Sequence, residues 1–389
     1  MGPMEQLLRL MADKKASDIY LSASAPVLIK INGVTMPVNA QQPLPTDGPY
    51  RLLAEVVKPE QLQEYDRTGE LNIAIPMPEV GRFRISAMRQ RGTCAVVVRF
   101  ISGQIPKVSE LGIPPVLTQM IMAKRGLMLV VGSTGSGKST TLAALLDHRN
   151  ENTTGHILTI EDPIEYLFKN KKSVVNQREV GTDTESLHIA LKNALRQAPD
   201  VILIGEIRDR ETMSQAIAYA QSGHLVLATL HANNSYQALN RILNFYPAEV
   251  RPTMLNDLAS SLKAIVSQRL LRTVDGGRTP AVEVMVNTRL ISELIEKADF
   301  FGVREALEKS MAEESQTFEA DLARLILSAR ITREEGLAYA DSPTNLLWLL
   351  QNDDRARAAA TAQAAAPATT GEPGKGGGPS FDGFLPPKS

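Results

Sequence analysis

Residues 127–140, "LMLVVGSTGSGKST", decide the fold of this chain. The apolar run reads as a buried strand, the glycines as a tight loop, and "TTLAALLDHR" beyond them as a helix. Gly132, Gly137, Lys138 and Ser139 satisfy G-x-x-x-x-G-K-[ST]. A chain this long meets that pattern by accident about one time in a hundred, and the flanking strand and helix make an incidental turn a poor account of it. Physically it is a phosphate cradle. Glycines let the backbone of Gly132, Ser133, Thr134, Gly135, Ser136, Gly137, Lys138, Ser139 and Thr140 wrap closely, with N–H groups turned to an anion. Lys138 adds a charge within reach of the β and γ phosphates, and the Ser139 hydroxyl can join a Mg²⁺ shell. The helix N-terminus adds its own polarity. ATP and Mg²⁺ are the ligands expected.

Working outward, the runs "HILTIE", "DVILIGE" and "HLVLATLH" alternate with helical stretches. Strands apolar on both faces, separated by helices, predict a parallel sheet covered on both sides over residues 116–288. Such sheets bind ligands at the C-terminal ends of their strands, and two of those ends are acidic. "TIEDPIE" carries Glu161, Asp162 and Glu165; "VILIGE" ends in Glu206. Clustered carboxylates need a cation or hydration, and a nucleotide site needs a metal ligand and a group that activates water. Pro163 ends the strand and can turn Glu165 away from its neighbours. The residues alone offer Asp162, Glu206 and the Ser139 hydroxyl as oxygens for a metal shell, and leave open which acid of the cluster activates water. Asp200 opens its strand at the far edge of the sheet, and Asp209 reads as a helix N-cap. His224 and His231 stand at opposite ends of one strand, roughly 20 Å apart, so they cannot share a metal; His231 is at the ligand end.

Residues 1–101 read as a small α/β domain. "EQLLRLMADKKA" (5–16) has helical spacing, residues 17–38 read as two strands turning at Asn32-Gly33, residues 51–65 as one helix, and residues 81–101 as a hairpin near Gly92. Residues 102–115, with three prolines and two glycines, form a linker. Residues 253–271 are predicted to form a long amphipathic helix and residues 273–286 a hairpin on Asp275-Gly276. Residues 289–352 read as a helical subdomain with Trp348 as a core anchor, and residues 353–389, dominated by Ala, Gly and Pro, as a disordered tail.

Composition narrows the function classes. Lys plus Arg (42) against Asp plus Glu (43) leaves a formal charge of −1, which argues against a broad nucleic-acid surface. One cysteine, Cys94, excludes an internal disulfide and a cysteine zinc cluster. No apolar run approaches the ~18 residues of a membrane span, and no secretory signal pattern opens the sequence. A cytoplasmic location is expected.

Five motifs in order, "GSTGSGKSTT", "ILTIEDPIEY", "VNQREVGTDT", "ALRQAPDVILIGEIRDRET" and "SGHLVLATLHAN", resemble the secretion-type ATPases of type IV pilus and type II secretion machines. The resemblance implies a PAS-like N-terminal domain on a RecA-like P-loop ATPase domain, working as a hexameric ring. It assigns Glu165 as catalytic glutamate, Glu206 as Walker B acid, and His224 with His231 as a His-box pair. It makes Arg82, Arg84 and Arg99 candidates to complete a neighbouring subunit's site. The short N-terminus and single cysteine point to the retraction branch, the PilT/PilU group. "LISELIEK" (290–297) has Ser292 and Glu296 where PilT proteins carry arginines, so the chain resembles the paralogue that works beside a PilT-like ATPase. Pilus retraction and twitching motility, docking on an inner-membrane platform protein, and a place at the cytoplasmic side of that membrane are implied with it. The alternative is a weakly catalytic protein that couples to a PilT ring.

Overall fold

A computed structural model describes residues 2–31, 33–39, 42–77, 80–101, 104–309 and 314–352. The tail at 353–389, Asn32 of the first turn, and Ser102 and Gly103 of the linker lie outside the described residues.

The N-terminal unit runs α1 (Pro3–Asp13), β1 (Asp18–Ser22), β2 (Leu28–Ile31), β3 (Val34–Pro37), α2 (Gly48–Ala54), α3 (Pro59–Thr68), β4 (Glu70–Met77), β5 (Gly81–Gln90) and β6 (Thr93–Ile101). Its six strands form an antiparallel sheet in the order β3-β2-β1-β6-β5-β4. Three strands, not two, occupy residues 17–38. The single helix expected over 51–65 is two, because Pro59 cannot continue a helix and instead starts α3 at its first position. Strand β5 alternates cleanly: Phe83, Ile85 and Ala87 enter the core while Arg82 and Arg84 take the other face.

The second unit continues with α4 (Val108–Leu111), α5 (Val116–Met120), β7 (Gly126–Val131), α6 (Lys138–Asn152), β8 (Gly155–Glu161), β9 (Ser173–Glu179), α7 (Leu187–Ala194), β10 (Val201–Ile204), α8 (Arg210–Gln221), β11 (Leu225–Leu230), α9 (Ser235–Asn244), α10 (Arg251–Ser261), β12 (Leu262–Arg272) and β13 (Arg278–Val286). The sheet order is β13-β12-β7-β11-β10-β8-β9. All neighbours are parallel except the β12–β13 hairpin at the edge. Each central strand feeds two cores: Leu127, Leu129 and Val131 pack on one face and Met128 and Val130 on the other. Helices α11 (Arg289–Glu296), α12 (Phe300–Glu308), α13 (Phe318–Leu327) and α14 (Arg333–Tyr339) follow.

Residues 253–271 are not one helix: α10 ends at Ser261 and the chain passes directly into β12. The apolar residues of 262–271 satisfy a helical spacing, so periodicity alone favours a helix there. The edge of β7 decides it, because the backbone groups of a buried strand need a ladder partner, and β12 supplies one from Leu262 to Ser267. Trp348 is 63% exposed rather than an anchor. Leu346 and Leu350 are the buried residues there; standing two positions from each, Trp348 falls on the opposite helix face.

Glu283 on β13 is buried opposite Ser267. Its Oε1 accepts from Ser235 N at 2.8 Å and from Ser267 Oγ at 2.8 Å, while burial pushes the carboxyl above its ordinary range. A raised native pKa means the folded state holds its proton more tightly, so stability is full at acidic pH and is lost as pH rises past the carboxylate range. Glu283→Gln keeps the acceptor oxygen and cannot ionise. Thermal denaturation should show its stability relative to the parent rising between pH 5 and pH 8; a constant difference would refute the ionisation cost.

Candidate nucleotide-binding site

A parallel sheet delivers every C-terminal strand end to one edge, and here that edge collects the predicted chemistry. Strand β7 ends in the glycine loop and Lys138, β11 in His231, β10 in Gly205-Glu206, β8 in Glu161 and the loop bearing Asp162 and Glu165, and β9 in Glu179. Lys138, Ser139, Asp162, Glu165, Glu206 and His231 line one cleft of about 490 Å³, which Arg84 of the N-terminal sheet also lines.

The loop is built around close approaches. A Cβ at Gly132 would lie 2.4 Å from Ser136 Oγ and 2.5 Å from the Gln268 carbonyl oxygen, so only glycine fits. Gly137 caps α6 at φ 91°, a conformation L side chains avoid. Helix α6 is held from two sides: Thr141 Oγ1 donates to Gln268 Oε1 at 2.9 Å, and Thr140 Oγ1 meets the Tyr166 hydroxyl at 2.8 Å. Lys138 is buried and donates to the carbonyls of Gly132 (2.9 Å) and Ser133 (2.8 Å). Burial pulls its ammonium below the usual lysine range, and Glu206 and Glu165 act against that fall.

The acids differ by surroundings. Glu206 uses both oxygens, Oε1 at 3.0 Å from His231 Nε2 and Oε2 at 2.6 Å from Arg208 Nη2. Glu161 is half-buried and accepts from Thr159 Oγ1 (2.7 Å) and Gln177 Nε2 (3.3 Å). Burial raises its carboxyl pKa, with those hydrogen bonds acting against the rise. Asp162 and Glu165 are exposed to the cleft.

Comparison with known proteins gives the family. Residues 5–293 match the family described as type II/IV secretion system protein. This chain belongs to that family. Among curated relatives, the type IV pilus ATPase PilU of Pseudomonas aeruginosa is 46% identical over 348 residues, covering 89% of this chain and 91% of that protein. The type IV pilus retraction ATPase PilT of the same organism is 37% identical over 340 residues, covering 87% and 98%. The solved structure of the pilus retraction motor PilT with bound ADP superposes with a TM-score of 0.81 at 37% identity, covering 89% of this chain and 98% of that one. The secretion ATPase fold read from the sequence, an α/β N-terminal unit before a parallel-sheet P-loop core with helices after it, is the fold observed.

Not every predicted site residue of this secretion-family chain reaches the cleft. His224 precedes β11, at the far end from His231, and its Nδ1 lies 3.2 Å from Tyr219 O and 3.1 Å from Ser222 Oγ. Arg99 stays in the N-terminal sheet, where Nε donates to Asp18 Oδ1 at 2.9 Å across the β1–β6 ladder. Arg82 donates to Glu179 of the same chain, and Arg84 lines that chain's own cleft.

Two residues escaped the sequence reading. Arg208, two positions after Glu206, clamps that carboxylate; the "GEIRDR" spacing was the available signal. Glu179 lies within the "VNQREVGTDT" stretch, but its importance depends on contacts from another sheet that no local pattern reveals.

Gly132→Ala should lower stability by about 1–3 kcal/mol through overpacking and abolish binding of a fluorescent ATP analogue, as read by urea titration and fluorescence. Retained binding at parental affinity would sink the close-approach argument.

Proposed function

We propose that this chain is a Mg²⁺-dependent ATPase motor subunit of the type IV pilus machine that supports pilus retraction. The observation that carries the reading is the convergence of Lys138, Glu165, Glu206 and His231, from four separate segments, on one cleft. Lys138 and the loop N–H groups bind the β and γ phosphates. Glu165, exposed at the cleft and free of the strand by virtue of Pro163, accepts the proton of the attacking water. His231, bonded to Glu206, sits between the glycine loop and the acids and reports on the γ-phosphate end.

The donor set fits magnesium. Among the described residues no group of three or more His, Cys, Asp or Glu forms a cage of its own, and Mg²⁺ on a nucleotide takes few protein oxygens and keeps its waters. Ser139, Glu206 and Asp162 supply hard oxygens at the cleft. The bound ion would neutralise phosphate charge.

The relatives' names support the retraction role: PilU, PilT and a twitching motility protein of Neisseria gonorrhoeae, 35% identical over 341 residues. A hexameric ring, action beside a PilT-like ATPase, and docking on an inner-membrane platform protein from the cytoplasmic side complete the proposal. Among the described residues no helix is long and apolar enough to cross a membrane.

Glu165→Gln should lower kcat by roughly 10²–10⁴-fold while ATP still binds, and Lys138→Ala should lose both binding and turnover. Hydrolysis assays on purified chain and retraction force in cells carrying each variant check this. Full turnover in either variant would overturn the site assignment. Lost turnover with undiminished retraction would instead favour a coupling role.

A further inference from the structure

We propose that Glu179 is a positioning residue through which the N-terminal sheet sets the geometry of the Glu165 loop. Strand β9 ends at Glu179, beside Glu161 in the parallel β8–β9 register. Two adjacent carboxylates at a covered strand end need different partners. Glu161 finds Thr159 and Gln177. Glu179, whose side chain is 4% exposed, finds a cation from the other unit: its Oε2 accepts from Arg82 Nη2 of β5. The same Oε2 accepts from Ile164 N at 2.9 Å, and Oε1 accepts from Thr182 Oγ1 at 3.2 Å.

Ile164 stands between Pro163 and Glu165. One oxygen therefore joins the N-terminal sheet to the backbone immediately before the residue assigned to water activation. Arg82 is committed to this contact: its side chain is 13% exposed, and its Nε is buried without a hydrogen-bond partner. Arg84, on the same face of β5, lines the cleft. A shift of β5 thus moves a cleft residue and a loop-anchoring charge together. Withdrawal of Arg82 leaves Glu179 buried without its counter-charge. The carboxylate then turns toward water, and that change weakens its hold on Ile164 N. By linkage, ordering the loop favours docking of the sheet to the same degree.

The role rests on the reading of Glu165 above and gives Arg82 a partner within its own chain, through Glu179. The test uses the full chain and its Arg82→Ala, Arg82→Lys, Glu179→Ala, Glu179→Gln and Arg82→Ala/Glu179→Ala variants. Arg82→Ala and Glu179→Ala should each lower kcat roughly 10–100-fold, as expected of a misplaced reacting group, with KM little changed. Each should also speed hydrogen exchange across 163–168. The double variant should be no worse than the poorer single one, and Glu179→Gln, which still offers Ile164 N an acceptor, should recover part of the loss. Multiplying effects, or unchanged exchange across 163–168 in Arg82→Ala, would overturn the proposal. If Arg82→Ala does not fold, exchange in Arg82→Lys decides, because one donor cannot reproduce the guanidinium fork. Full turnover in Glu165→Gln would refute the assignment of Glu165, whereas the exchange data would still decide the coupling.

Discussion

Strand direction is the constraint on which the rest of this molecule depends. Lys138, Glu161, Glu179, Glu206 and His231 are scattered along the sequence, yet each follows or ends a strand of one parallel sheet. Parallel pairing of β7, β11, β10, β8 and β9 sends all five ends to one edge. That alignment depends in turn on burial of both faces, since strands covered on two sides need apolar residues at every position. The chemistry is therefore held by the same Leu, Ile and Val pattern that makes the core.

Bringing so many carboxylates to one edge creates a repulsion that the surroundings must offset. Glu206 is bridged by His231 and Arg208, Glu179 by Arg82, and Glu161 by neutral donors in a setting where burial favours its protonated form. Glu165 and Asp162 remain exposed to the cleft. Lys138, depressed by burial, stands opposite as the fixed cation. The acid that is proposed to work on water is thus one left in contact with it.

What could be read in advance divides along the same physical line. The places of the glycine loop and Glu206 at the cleft were legible because contiguous backbone and an acid at a strand end are local signals, whereas Glu165 was told apart from its neighbours only by resemblance. The edge strand β12 was not legible: "LKAIVSQRLL" satisfies a helical period, and only the unpaired side of β7 makes it a strand. Trp348 failed similarly, since hydrophobicity says nothing about which face of a helix the core occupies. Arg99 was named with Arg82 and Arg84 by resemblance; its pairing with Asp18 within the chain is set by the β1–β6 register, which no local pattern shows. Contacts between the two sheets, such as Arg82 with Glu179, leave no periodicity at all.

That contact also bears on how a ring of such chains would work. Arg82 and Arg84 share one face of β5, and in this conformation both serve their own chain. The same side chains cannot at once fill a neighbour's cleft. If they complete a neighbouring site during turnover, the N-terminal sheet must first leave β9, and the Glu165 loop then loses its anchor. Serving a neighbour and holding one's own catalytic loop become exclusive states of one element. An element with two exclusive positions, each favoured by a different nucleotide site, is what directional passing of hydrolysis from subunit to subunit requires. The path from Arg82 through one carboxylate oxygen to Ile164 N is short, and the residue proposed to activate water follows Ile164 directly.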